Sequence, residues 1–260
     1  MAHVARLTTY PVKGLDRLDL ERTTVLPGGT LEHDREFALL DPSGEAINGK
    51  QTARFHIVDT EYDPAETTLR VAPPETDART FALDTETGRA DAASFLNETL
   101  ALDTDPALAR DTDRGHVDRR TMGPSVVSTA TLEAVAGWFD ELSVESVRRR
   151  LRANVEVAGV PAFWEDRFVG ADAPTFRAGD VRIEGVTPCG RCVVPERDPN
   201  TGEHMSDFRT RFRKRRRETF PEWADRDAFD HFYSLMLIAS VPEPDRGKPI
   251  AVGDDVTVIE

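Results

Sequence analysis

The sequence predicts a mainly β chain with some helix, an α+β fold divided into two β-rich units. Three observations carry that expectation. Short runs of apolar and β-branched residues alternate with Gly and Pro turn signals in the first sixty positions and again beyond residue 150. Helical periodicity is confined to isolated stretches. A chain of 260 residues can also bury a core without disulfides or structural metals to hold it.

In chain order, Val4 to Val12 and Glu36 to Asp41 read as strands, separated by Pro27-Gly28-Gly29 and followed by the turn Asp41-Pro42-Ser43-Gly44. The acidic middle from Asp63 to Asp118 reads as strands and loops around short runs such as Thr68 to Ala72. A helix follows, because Leu132, Val135, Ala136 and Phe139 recur at i, i+3, i+4 and i+7, with hydroxyls of Ser128, Thr129 and Thr131 at its start. A domain boundary is expected near residue 120, dividing 1–120 from 121–260. Asn154 to Val160, Val181 to Thr187 and Asp255 to Ile259 have the length and branching of strands. Part of Ser206 to Arg217 reads as a second helix, and Asp227 to Ile238 as a short helix or a buried apolar segment.

The chain carries 47 acidic against 33 basic residues, a net −14, which disfavours nucleic acid and anionic membrane surfaces as partners. Lysine occurs only at Lys13, Lys50, Lys214 and Lys248, so the surface is acidic and arginine-rich, a composition suited to a high-salt, halophilic cytoplasm. The longest apolar stretch, Leu235 to Val241, is too short to span a bilayer, and the N-terminus has no secretory pattern, so a cytoplasmic location is expected. One local run opposes the global charge, with seven cations between Arg209 and Arg217; it reads as a solvated helix pairing with the chain's own carboxylates.

The segment Thr187 to Gly202 holds both cysteines, Cys189 and Cys192, after a strand and before an Asp198-Pro199-Asn200 turn. Four readings stand side by side. The pair is half of a zinc site, with His204 as the nearest further ligand. It is a thioredoxin-like redox pair, although Pro195 and Pro199 leave no room for the long helix that such a pair opens. It is two small buried hydrophobes at a strand end. Or one thiolate binds a soft or high-valent metal centre, with Arg191 beside it to favour the ionised sulfur.

Ordered motifs along nearly the whole chain resemble one family. They are Tyr10-Pro11-Val12-Lys13-Gly14, His33-Asp34-Arg35, Asn48-Gly49-Lys50-Gln51-Thr52-Ala53-Arg54, Val126 to Leu132, Arg152-Ala153-Asn154-Val155, and Cys189-Gly190-Arg191-Cys192 with Asp198 to Gly202. The chain resembles the MOSC superfamily, in the branch that joins an N-terminal β-barrel domain to a MOSC β-barrel domain, as in the mitochondrial amidoxime-reducing component. Gly14 and Thr129 depart from it, standing where relatives often have Ser and Asp.

The resemblance implies a molybdenum cofactor, a pterin dithiolene that ends in a phosphate, with Cys192 as catalytic residue and protein thiolate on the metal and Cys189 structural. It also implies that Lys13, Arg35 and Arg152 line the cofactor cleft, while Asn154, Arg191 and the hydroxyls of Ser128, Thr129 and Thr131 offer hydrogen bonds. The implied activity is two-electron oxidoreduction of a small-molecule substrate such as an N-hydroxylated base. With two cysteines and no haem, flavin or iron–sulfur motif, electrons must come from a separate redox protein. A sulfur-carrier or cofactor-handling role and a plain binding module are the alternatives.

Overall fold

The computed structural model describes residues 1–119 and 121–259. The first half contributes β1 (His3–Thr9), β2 (Leu18–Leu20), β3 (Arg22–Thr24), β4 (Phe37–Leu40), β5 (Asp59–Asp63), β6 (Thr68–Ala72), β7 (Arg79–Ala82), α1 (Glu86–Leu100) and β8 (Ala107–Arg110). The second contributes β9 (Ser125–Ser128), α2 (Thr129–Ala136), α3 (Val144–Leu151), β10 (Val155–Ala158), β11 (Thr175–Ala178), β12 (Val181–Gly190), α4 (Phe208–Glu218), β13 (Ser234–Ser240), β14 (Pro249–Ala251) and β15 (Val256–Ile259). The fold is α+β, as its strand-like runs predict.

Eight strands form the principal sheet in the order β15-β11-β12-β13-β9-β10-β1-β2. It curls on itself. Val4 donates to the Asp254 carbonyl and Val256 to that of Ala2, each at 2.9 Å, so the first residues of β1 meet the approach to β15 and an open edge is covered. Inside this curve lie Val4, Leu7, Val126, Val155, Phe176, Ile183 and Leu237. Strands β1 and β2 thus belong to the same sheet as the C-terminal strands. The expected boundary falls between β8 and β9, and Arg120 itself lies outside the described residues.

A second cluster, with Phe37, Leu39, Leu69, Phe81 and Leu96, sits between the antiparallel pair β4–β8, the three-stranded sheet β5–β6–β7 and α1. This corrects the reading of 63–118 as strands and loops, since fifteen residues there are helical. Thr85 caps α1 by accepting from the Gly88 amide, but two of its five buried residues are alanine, and Ala101 rather than Gly ends it in the left-handed region, so neither periodicity nor stop signal stands out. Helix α3 was also not expected: it is a short amphipathic helix of eight residues, just over two turns, capped by Ser143 and stopped by Arg152 at φ 59°. Of the two readings of Asp227 to Ile238, the buried apolar segment holds and the short α-helix does not. The segment divides into a short turn at Arg226–Ala228 and the buried strand β13. Helix α4 falls where the second helix was expected.

The third cluster packs α2, α3 and α4 against β9 and β13 through Val127, Leu132, Val147, Phe208, Phe212 and Leu235. Beneath it lies a buried polar group. Arg216, 1% exposed, pairs with Asp166, and Glu165 beside them accepts from the Ser128 amide (3.2 Å) and the Thr131 hydroxyl (3.1 Å). Burial, and then the Asp166 charge, push the Glu165 carboxyl above the usual carboxylate range. The folded chain therefore binds this proton more tightly than the unfolded chain, so its stabilisation is complete below 4.5 and is lost as pH rises through the shifted range. Glu165→Gln should become more stable relative to the parent as pH rises from 5 to 8, by up to about 1.4 kcal/mol per pH unit, in urea unfolding. A difference that does not change with pH would contradict the assignment.

Candidate functional site

A cleft of ≈ 560 Å³ opens where the two halves meet, a size suited to a small-molecule ligand. The first half lends Lys13, Arg35 and the Asn48–Lys50 loop; the second lends Arg152, Asn154 and the Cys189–Cys192 turn. Its floor includes Met236 and Ile238 of β13. Met236 holds φ 73° opposite an irregularity in the β12–β13 register, an unusual backbone state for a non-glycine residue that re-aims the strand at the cleft.

The walls are cationic. Lys13, Arg35, Lys50, Arg119, Arg152 and Arg191 face it, against Asp118 as the one carboxylate among the described lining residues. These charges differ in availability. Lys13 and Lys50 both hold Asp118, at 2.6 and 2.7 Å, and the two lysines draw that carboxyl far below its ordinary range despite its burial. Arg35 pairs with Asp34, which also accepts from the Tyr10 amide at 3.1 Å. Arg152 and Arg191 have no carboxylate partner among the described residues. Arg152 lies 3.8 Å above the Tyr10 ring and donates to the Leu15 carbonyl at 2.8 Å. Burial, with Arg35 nearby, pulls its proton affinity down from the ordinary guanidinium value. Arg191 donates to the Leu151 carbonyl at 3.0 Å, and its Nε is buried with no partner among the described residues.

The two cysteines sit differently. Arg191 Nη1 donates to Cys189 Sγ at 3.0 Å, so the guanidinium expected beside Cys192 is turned to the other sulfur. Cys189 and Cys192 both line the cleft, and Cys192 Sγ has no hydrogen bond among the described residues. Its backbone is fixed instead: the Arg191 amide donates to the Tyr233 carbonyl (2.9 Å) and the Tyr233 hydroxyl to the Cys192 carbonyl (3.2 Å). Helix α3 pins the loop that follows. Arg150, 3% exposed, donates to the carbonyls of Pro195 (3.0 Å) and Arg197, and Arg149 to that of Pro199 (2.9 Å). Asp198 closes the turn by accepting from the Asn200 and Thr201 amides at 2.9 and 3.1 Å. His204, the possible further zinc ligand, bonds Glu196 at 3.1 Å.

Lys13, Arg35, Arg152, Asn154, Arg191 and Cys192 are therefore brought together. Ser128, Thr129 and Thr131 are not, and this corrects the expectation. The Ser128 hydroxyl caps α2 by accepting from the Thr131 amide (3.1 Å), Thr131 bonds Glu165, and Thr129 bonds Glu156 at 2.9 Å. The start of α2 is turned into its own cluster rather than to the cleft. Asn154 lines the cleft but spends its amide joining strands, accepting from Ser125 at 2.9 Å and donating to the Thr8 carbonyl at 3.1 Å. Gly14 occupies φ +97°, and a Cβ there would stand 2.9 Å from the Phe55 ring, which accounts for glycine at that position.

Two further groups were not singled out by sequence. Asp118 becomes visible only when Lys13 and Lys50, far apart in sequence, converge on it. His56, two residues after the Thr52-Ala53-Arg54 motif, lines the cleft. Burial, then the charges of Arg152, Arg197, Arg150 and Arg149, pull its imidazole down to about 4.

The family model described as the MOSC N-terminal beta barrel domain matches residues 1–146, and that described as the MOSC domain matches residues 119–257. No curated protein matches the chain. No helix among the described residues is long and apolar enough to cross a membrane.

The arginine field makes His56 a gauge of what enters. Its imidazole should titrate near 4 by NMR in the ligand-free protein. Saturating inorganic phosphate, by neutralising the arginines' share of the shift, should raise the midpoint, while burial keeps it below the ordinary 6.5. A midpoint near the ordinary value without any anion would show that the arginines do not act on it.

Proposed function

The chain belongs to the MOSC family, and from that membership we propose that it is a molybdenum cofactor-binding oxidoreductase that removes oxygen from N-hydroxylated substrates, with electrons from a separate redox protein. MOSC domains are associated with molybdenum cofactor-binding proteins in general. The observation that carries the narrower reading is the pair Arg152 and Arg191, two guanidiniums with no carboxylate partner among the described residues, in the cleft that Cys192 also lines. Cations held this way in an acidic chain suit an anionic ligand.

The residues present fit the cofactor. Arg152 and Arg191, with Lys13 and Arg35 behind their carboxylates, would hold its phosphate, and the unbonded Cys192 sulfur is the soft donor left for the metal. When bound, the cofactor supplies a metal that exchanges two electrons and an oxygen atom with a substrate. The overall change is R–NH–OH + 2 electrons + 2 protons giving R–NH2 + water. The chain's own part is to bind, orient and exclude water. Tyr10 supports Arg152 from beneath, and Val194, Met236 and Ile238 give the pocket its apolar surface. Tyr233, Arg149 and Arg150 keep the Cys192 turn in one conformation.

Because only Arg152 among the three expected anchors is free of a carboxylate, Arg152→Ala should lower cofactor occupancy most. Loss of one charge-assisted contact costs about 1.5–3 kcal/mol, or about one to two decades in affinity. Lys13→Ala and Arg35→Ala should cost less. Equal losses at all three positions, measured by cofactor content, would count against this ranking. Cys192→Ser should abolish reduction of benzamidoxime by dithionite-reduced methyl viologen in the loaded protein, while Cys189→Ser keeps much of it. Loaded wild-type protein that turns nothing over would favour the sulfur-carrier reading.

A further inference from the structure

The cation run from Arg209 to Arg217 takes no part in the cleft, yet α4 gives it an ordered geometry beside it. Arg209, Arg213 and Arg217 recur at i, i+4 and i+8, are all exposed, and form one stripe along the helix. Ring contacts fix both ends of that stripe on one segment: Arg209 lies 5.0 Å from the Tyr233 centroid and Arg217 5.1 Å from that of Phe232. Arg226 covers Phe232 as well, at 4.4 Å.

That segment adjoins the Cys192 turn. Tyr233 bonds the backbone on both sides, through the Arg191 amide and the Cys192 carbonyl, and a Cβ on Gly190 would lie 3.6 Å from the His231 ring. Arg209 completes the link by pairing with Glu196 at 2.6 Å, the same carboxylate oxygen that accepts from the Tyr233 hydroxyl at 3.3 Å. The stripe therefore starts within a few hydrogen bonds of Cys192.

Arg209, Arg211, Arg215 and Arg216 have carboxylate partners. Arg213, Lys214 and Arg217 have none among the described residues. They stand out from a chain of net −14, which becomes −21 once the seven cations of the run are set aside. We infer that the Arg209–Arg213–Arg217 stripe, with Lys214, is the docking surface for an acidic electron-transfer protein that reaches the Cys192 turn across it.

This rests on the redox reading of the cleft: for each N–OH bond reduced, two electrons arrive, one from each of two successive encounters with a single-electron carrier, and solvent supplies two protons. Charge complementarity at short range suits such a transient, salt-sensitive encounter. A polynucleotide fits less well, because guanidinium groups already cover the Phe232 and Tyr233 rings, and the acidic remainder repels an extended polyanion.

The test uses the cofactor-loaded chain and an acidic [2Fe–2S] ferredoxin as probe. Calorimetry should show binding that weakens with salt, and the double variant Arg213→Glu, Lys214→Glu should bind at least about ten-fold more weakly at low salt. Ferredoxin-driven reduction of benzamidoxime should fall in parallel, with viologen-driven reduction unchanged. Unaltered ferredoxin affinity in the variant, absence of salt-sensitive binding by the parent, or tighter binding of a single-stranded oligonucleotide at the same salt would overturn the inference. Absent viologen-driven activity in the parent would instead overturn the redox reading, and the binding comparison would still decide the surface.

Discussion

Arg152 and Arg191 place positive charge in a cleft wall without a carboxylate partner for either among the described residues, in a chain that has 47 acidic residues. Leaving a partly desolvated cation without a counter-ion is costly, and the surrounding structure bears that cost by other means. Arg152 stacks on a buried tyrosine, and Arg191 rests on a helix-terminal carbonyl and a sulfur. Both contacts support a guanidinium without cancelling its charge. The site is thereby kept positive.

Much of the surrounding architecture follows from holding these two groups and the Cys192 turn in register. Helix α3 contributes at every step: Arg148 binds Glu145 and Glu156, Arg149 and Arg150 secure the loop after Cys192, and Arg152 leaves the helix in a left-handed conformation toward the cleft. Four arginines in five positions thus share three tasks. The curled sheet supplies the rigid frame, since β10, which follows Arg152, lies between β9 and β1.

The part of the site legible in sequence was the part encoded by short motifs. Lys13, Arg35, Asn154, Arg191 and Cys192 each lie in a local pattern, and all reach the cleft. The hydroxyls of Ser128, Thr129 and Thr131 also lie in such a pattern, but helix capping and two buried glutamates compete for them and win. Asp118 and His56 depend on convergence between distant segments, which no local pattern carries. In the fold, β-branched runs revealed the strands, whereas α1 was hidden by the alanines on its buried face and by an Ala at the left-handed position where Gly would have marked its end.

The function follows from whether the positive cleft lined by Cys192 is a molybdenum site. The most direct measurement is the metal content, by mass spectrometry, of protein isolated from the organism that encodes it, with X-ray absorption at the metal edge. The account predicts molybdenum close to one atom per chain, with a protein sulfur in its coordination shell that disappears in Cys192→Ser. Stoichiometric zinc, or a protein free of molybdenum when made in that organism, would contradict it.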